Sequence, residues 1–309
     1  MKIQILIAGS SGFIGKKLVE ALAPKHAVTV LGRNRKKLEK CFAKTVTCVT
    51  WDELNELNAQ EFEVVINLCG TNIAAARWTE EIKQQLITSR VNTSQQLIDW
   101  ILTYAAKPHF ICANAVGIYG MHAGDKVPAF DENSEINFAQ PQDFLSEICI
   151  RWQQVTQTLV AHGIPVTITR FGVVLGKGEG MLKKLAWSFY LGMGAIIGTG
   201  QQIISWIDID DVVGAIVFLV DRPELNGAFN LTAPSPVSQA EFARTYAKVL
   251  NRPLWLTMPA CLVRLLFGEM GESLLLQGQK VLPKRLIDSG YKFKYPALED
   301  SLRNNKDVI

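Results

Sequence analysis

Apolar residues fall in six short, nearly unbroken runs: IQILIA (3–8), AVTVL (27–31), VTCVT (46–50), VVINL (64–68), HFICA (109–113) and VTITR (166–170). Runs of this length that do not alternate with polar residues are expected of parallel strands covered on both faces. Between them the period lengthens to that of helices. Ile14, Leu18 and Leu22 share one face of a stretch whose other side carries Lys16, Lys17 and Glu20, and Pro24 ends it. A longer helix is predicted from Thr79, whose hydroxyl can cap it, with Glu80 and Glu81 in its first turn. Asp210 and Asp211 are expected to cap a later helix, DVVGAIVFLV. This alternation of strand and helix predicts an α/β fold with a doubly wound parallel sheet.

Past about residue 171 the rhythm changes to helices with short strands, through the Gly- and Pro-rich strings GTGQQ, TAPSPVS and PKRL. The expected organisation is a sheet domain over 1–170, with a return strand from near 202–232, and a smaller mixed α/β part over 171–309. A length of 309 residues buries a core without staples. A net charge of +3 gives no support to a nucleic-acid partner. The six cysteines form no C-x-x-C pair, and most lie in apolar runs, which points to buried free thiols in a reducing cytoplasm. The four histidines share no metal-ligand spacing, so no metal is expected. The opening MKIQILIAG is too short for a signal sequence, and Met181–Gly198 is broken by Lys183 and Lys184. A cytoplasmic protein with no membrane segment or membrane partner is the expectation.

Gly9-Ser10-Ser11-Gly12-Phe13-Ile14-Gly15 is G-x-x-G-x-x-G between the first strand and the first helix. Glycine is needed there so that the backbone can approach a pyrophosphate and the helix can pack on the strand; the helix N-terminus then holds the anion. In this position the pattern predicts a Rossmann-type dinucleotide site. The second strand runs into Gly32-Arg33-Asn34-Arg35-Lys36-Lys37, without the acid that would read the ribose of NAD. An arginine there can pair with a 2′-phosphate, and cations are unfavourable at a helix start unless an anion is near. NADP(H) is therefore expected ahead of NAD(H), with Asn34 as the helix cap; a solvated basic helix start is the plainer alternative.

These residues, with NLCGTNIAAARWT (67–79), SRVNTS (89–94), NAVGIYG (114–120), RFGVVLG (170–176) and GTGQQIISWIDIDDVV (198–213), resemble the extended and atypical short-chain dehydrogenases/reductases, the NAD-dependent epimerase/dehydratase family. LFGEMGESLLLQGQKVLP (266–283) and YKFKYP (291–296) resemble the C-terminal domain of unknown function, about 255–303, of the branch named for nucleoside-diphosphate-sugar epimerases. The resemblance implies redox chemistry on a small molecule, with a Tyr-x-x-x-Lys pair moving the hydroxyl proton and a Ser or Thr orienting the oxygen. Here the matching positions hold Leu145, Cys149 and Ala115, and no Tyr precedes a Lys by four residues anywhere.

Asn114 and Tyr119 are the substitute catalytic candidates; turn formation explains the first equally well, and packing is favoured for the second. Beyond the glycine turn, the resemblance implies cofactor contacts from Asn67, Leu68, Cys69, Gly70, Phe171 and Gly172. Its branch-specific strings place Arg77, Trp78, Gln202, Ser205, Trp206 and Glu269 at a substrate, although Trp206 reads equally well as an apolar plug. Two functions stay open: an NADP(H)-dependent reductase or epimerase of a small carbonyl or nucleotide-sugar-like substrate, and a non-catalytic NADP(H)-binding regulator or sensor. A homodimer through long helices at 79–106 and 144–162 is compatible with Trp100 and Ile101, as is simple core packing.

Overall fold

The computed structural model describes residues 2–124 and 126–306. Its centre is a sheet of β1 (Gln4–Ala8), β2 (Ala27–Gly32), β3 (Thr47–Thr50), β4 (Val64–Asn67), β5 (His109–Ala115), β6 (Val166–Phe171) and β7 (Gly227–Leu231). All neighbours are parallel, in the order β3-β2-β1-β4-β5-β6-β7. The order reverses between β1 and β4, which opens a crevice beyond the C-terminal ends of those strands. The predicted doubly wound sheet is thus present, and its last strand arrives from well past residue 171.

The main helices are α1 (Phe13–Leu22), α2 (Arg35–Cys41), α3 (Glu80–Thr103), α4 (Phe144–Val155), α5 (Gly180–Tyr190), α6 (Ile209–Val220), α7 (Gln239–Val249), α8 (Ala260–Leu275) and α9 (Leu298–Asn304). Leu18 and Leu22 of α1 and Ile216 and Leu219 of α6 bury against Ile5, Ile7 and Phe229 on one face of the sheet. Leu97, Ile98 and Trp100 of α3 and Trp152 of α4 bury against Leu6, Val65 and Phe110 on the other. Asn34 and Thr79 cap α2 and α3 as expected, accepting from the N–H groups of Lys37 and Ile82.

Two helical expectations need correction. The cap of α6 is Asp208, which accepts from Asp210 N–H at 2.8 Å; the helix begins at Ile209, so the earliest of the three acids is the one outside it. Asp211 is fully buried, and its carboxylate accepts from the N–H groups of Lys294 (2.7 Å) and Tyr295 (2.8 Å) and the Tyr291 hydroxyl (3.1 Å). It fastens the C-terminal segment to the sheet domain. The long helices are also shorter than expected: α3 stops at Thr103, and Thr156 separates α4 from a short helix at Gln157–Ala161. Trp100 and Ile101 are buried within the chain, with the Trp100 indole donating to Leu57 O, so they offer nothing to a second copy.

A separate core in the C-terminal part joins Leu182 and Phe189 of α5, Trp206, Phe242 and Tyr246 of α7, and Leu302 of α9. Residues 277–281 return to pair with 122–123 and 129–130, just beyond β5. Among the described residues, no helix is long and apolar enough to cross a membrane. Cys112 and Cys149 are buried free thiols, but Cys41 and Cys261 are exposed, against the expectation of buried cysteines: both sit on amphipathic helices rather than in strands.

Candidate functional site

The glycine turn lies at the mouth of the crevice between β1 and β4. Gly9 has φ +77°, and a Cβ there would lie 2.6–2.8 Å from the backbone of Leu68 and Cys69. At Gly15 a Cβ would lie 2.6 Å from Ser10 Cα, so α1 sits directly on the turn. Gly12 differs: a Cβ would meet only Gly9 O, at 3.3 Å, and the residue is exposed. Thus two glycines close the turn on the protein and the third leaves it open outwards. Gly12 is the N-cap of α1, and among the described residues no side chain caps that end and no acid lies in its first turn. Ser10 is fully buried, yet its Oγ finds no hydrogen-bond partner among the described residues. Free helix donors, an open cradle and an orphaned hydroxyl together suit an anionic group such as pyrophosphate. Ser11, Phe13 and Ile14 are half-buried around this cradle. The Phe13 ring fills the space left by Gly176 and Gly180, tying the turn to the approach of α5.

Arg33 and Arg35, grouped by the sequence, are separated by their environments. A single Arg35 nitrogen donates to both Glu53 oxygens at 2.6 Å, while Glu53 also accepts from Thr50 N–H and Oγ1 at 2.8 Å. These bonds hold the Glu53 carboxyl down to about 2. Glu53 was missed, although Thr50-x-x-Glu53 is a capping-box pattern visible at the end of the third apolar run. Arg33 has no carboxylate within ion-pair distance among the described residues. Its charge reaches the Cys69 thiol, which burial nonetheless pushes up to about 12. Arg33 follows the C-terminal end of β2, with its charge near Cys69 and unmatched by a carboxylate among the described residues.

Other expected cofactor residues serve the protein itself. Asn67 is fully buried, donating to Ser94 Oγ (2.9 Å) and accepting from Cys69 N–H (3.0 Å), so it shapes the strand end and presents no polar atom outwards. At Gly172 a Cβ would lie 2.5 Å from Ser205 O, so internal packing already requires glycine there; Phe171 joins the core.

Leu145 and Cys149 do come together around Gly117, where a Cβ would lie 3.3 Å from Leu145 Cβ and 3.5 Å from Cys149 Sγ, and Ala115 packs against the core cluster that holds Cys149. The cluster is apolar, and burial pushes the Cys149 thiol up to about 12, away from the thiolate that a nucleophile needs. Neither substitute candidate faces it with a free group. Asn114 accepts from Ala115 N–H (2.8 Å) and donates to Cys149 O (3.0 Å). The Tyr119 hydroxyl accepts from Arg170 (2.8 Å) and contacts Asn230 Oδ1 (2.9 Å) and Asp131 O (3.0 Å). Burial raises the Tyr119 pKa, and the neighbouring guanidinium only partly opposes it. Arg170, the one charged residue in the sixth apolar run, was the overlooked signal for this network: Asn114, Arg170 and Asn230 form one polar row across β5, β6 and β7.

The substrate candidates divide. Gln202 donates to Ile197 O and Leu275 O, Ser205 bridges Gln279 O and Val281 N–H, and the Trp206 indole donates to Ser235 O with no exposed surface. These three are internal fastenings of the C-terminal part, not a lining. Trp78 is buried against Phe144, edge to face, donating to Ile73 O. Arg77 and Glu269 remain at the surface: Arg77 donates to Leu265 O, and Glu269 pairs with Lys83 at 2.8 Å. They join the 71–78 loop and α3 to α8.

The family model described as "NAD dependent epimerase/dehydratase family" matches residues 5–232 of this chain. The chain belongs to that family. A second model, a domain of unknown function, matches residues 258–304 of this epimerase/dehydratase-family chain. Relatives include the Arabidopsis thaliana epimerase family protein SDR39U1 homolog, chloroplastic, 36% identical over 98% of this chain and 86% of the relative. Bacillus subtilis epimerase family protein YfhF is 36% identical over 97% of each. Human epimerase family protein SDR39U1 (isoform 2), crystallised with NADPH, superposes with TM-score 0.86 at 30% identity, covering 99% of this chain and 100% of that one. UDP-glucuronic acid 4-epimerase from Bacillus cereus, at 18% identity and TM-score 0.79, shares the fold.

Proposed function

We propose that this family member binds NADP(H), with its pyrophosphate at Gly9–Gly15 and its 2′-phosphate at Arg33. The buried, unpartnered Ser10 hydroxyl beside the uncapped start of α1 carries this reading, because a buried donor without a partner implies a ligand that completes it. Leu68, Cys69 and Gly70 would flank the adenosine, and the NADPH in the human relative is in keeping with the unpaired Arg33. Bound there, the dinucleotide supplies a hydride to, or takes one from, a carbon of a small carbonyl or nucleotide-sugar-like substrate. Arg77 and Glu269 would line the approach of that substrate, while Ala115, Leu145 and Cys149 keep water from the reacting end and offer no proton.

The apolar character of those three residues favours a second reading, in which NADP(H) occupancy biases the arrangement of the C-terminal part without turnover. Titrating the protein with NADPH and with NADH, following energy transfer from its seven tryptophans, tests the shared claim; equal binding of both would remove the role of Arg33. Consumption of NADPH with a panel of aldehydes and ketones, together with conversion of nucleotide sugars to their epimers followed by NMR because epimerisation uses no cofactor overall, separates the two readings: turnover by either route excludes the sensor.

A further inference from the structure

Large apolar side chains are exposed on two adjoining segments, 187–193 and 255–266. Trp187 is 62%, Leu191 64%, Trp255 88% and Leu265 72% exposed. Such a concentration on one part of a surface marks a contact site. The segments are joined: strand 195–197 pairs with 256–258, Arg252 donates to Tyr190 O, and α5 and α8 both bond the 71–78 loop, through Lys184 to Ala74 O and Arg77 to Leu265 O. The surface therefore borders the 71–78 loop, whose Arg77 is proposed above to line the approach of substrate.

The charge pattern identifies its occupant. Residues 180–207 and 242–268 contain no Asp or Glu, but carry Lys183, Lys184, Arg244, Lys248, Arg252 and Arg264. Lys248 and Arg264 pair with Glu299 and Glu272, whereas Lys183, Lys184 and Arg252 have no carboxylate in ion-pair range among the described residues. A second copy meeting this surface about a two-fold axis would lay cation against cation. Exposed tryptophan and tyrosine beside unpaired cations suit the boundary of an anionic bilayer, where indoles sit at headgroup depth and lysines meet lipid phosphate and carboxylate. We propose that the α5–α8 surface docks on an anionic membrane face, bringing the 71–78 loop to the lipid boundary. The absence of a membrane-spanning segment, on which the expectation of no membrane partner rested, does not bear on such surface contact. The proposal stands apart from the cofactor reading, since none of these residues touches the glycine turn.

The test is co-sedimentation of NADPH-saturated protein with phosphatidylcholine vesicles, with and without about 30% phosphatidylserine, at low and high ionic strength. Binding is expected only with phosphatidylserine and should weaken with salt. Lys183→Gln should weaken it about five-fold, the effect of one cation near such a surface. Trp187→Ala/Trp255→Ala should weaken it roughly ten-fold or more, and Leu191→Ser repeats the apolar test at a separate exposed position. Circular dichroism melting verifies that each variant is folded. No binding to phosphatidylserine vesicles at low salt overturns the proposal, as does equal binding by folded tryptophan variants. Concentration-dependent dimerisation abolished by these substitutions, without vesicle binding, assigns the surface to a second copy instead.

Discussion

Replacing Arg33 by alanine should convert a site selective for NADPH into one that accepts NADH equally well. In the structure its guanidinium lacks a carboxylate, while that of Arg35 is held by Glu53, itself fixed by two bonds from Thr50. A charge-assisted hydrogen bond contributes roughly 1.5–3 kcal/mol, and tenfold in affinity is about 1.4 kcal/mol. Arg33→Ala should thus raise the Kd for NADPH about 10- to 150-fold and change that for NADH by no more than about two-fold. Arg35→Ala should cost NADPH binding about five-fold at most, because an exposed guanidinium already shared with a carboxylate adds little. Titration by indole-to-dihydronicotinamide energy transfer measures both. Raising the ionic strength should weaken NADPH binding more in wild type than in the Arg33 variant. The reasoning fails if Arg33→Ala weakens NADPH and NADH alike, which means a damaged fold, or if Arg35→Ala is the costlier change, which means the Glu53 pair opens to release it.

Ser10→Ala should leave the cofactor-free protein as stable or up to about 1 kcal/mol more stable, since it removes an unpaired buried hydroxyl, while weakening NADPH about ten-fold; a lower melting temperature without cofactor would contradict this. Asp211→Ala should cost on the order of 3 kcal/mol by stranding donors in the 291–295 segment, and a denaturant midpoint equal to wild type would show that the fastening is unimportant. His109 donates through Nε2 to Thr167 Oγ1, whose own proton goes to Leu225 O, and burial pushes its pKa down to about 4. Between that value and the unfolded value near 6.5 only the unfolded chain takes up the proton, so stability should fall as pH drops through this window, by on the order of 3 kcal/mol in total. Urea midpoints across the window should lose that slope in His109→Asn; an unchanged slope would refute the assignment.

The sheet was legible because its strands are covered on both sides and so are written as continuous apolar runs. β7 was harder to see: GAFNL reads as one apolar run only when its neighbour β6 is known. The glycine turn was legible because Gly9 and Gly15 answer steric demands of the backbone and Gly12 keeps the outer side of the turn open. What remained hidden depends on partners distant in sequence. Nothing local to Trp206 or Ser205 shows that their polar atoms meet Ser235 O and Gln279 O, and nothing local to Arg35 shows that Glu53 holds it. A polar residue in a family-specific string is recognisable as constrained, but whether it faces a ligand or another loop is set by tertiary packing.

The late origin of β7 also bears on how the chain is made. When the ribosome has completed β6, that strand has one neighbour, β5, and its other edge presents open N–H and C=O groups alongside Ile168. At about 5–20 residues per second, translation needs roughly 3–12 s more to deliver residues 227–231. For that interval the edge of the sheet lies at β6, a strand that has neighbours on both sides once β7 has arrived and taken over the edge. The point at which the sequence changes rhythm is therefore not a boundary of the sheet: a product ending there would have its glycine turn intact but would leave β6, an interior strand of the finished sheet, at its edge.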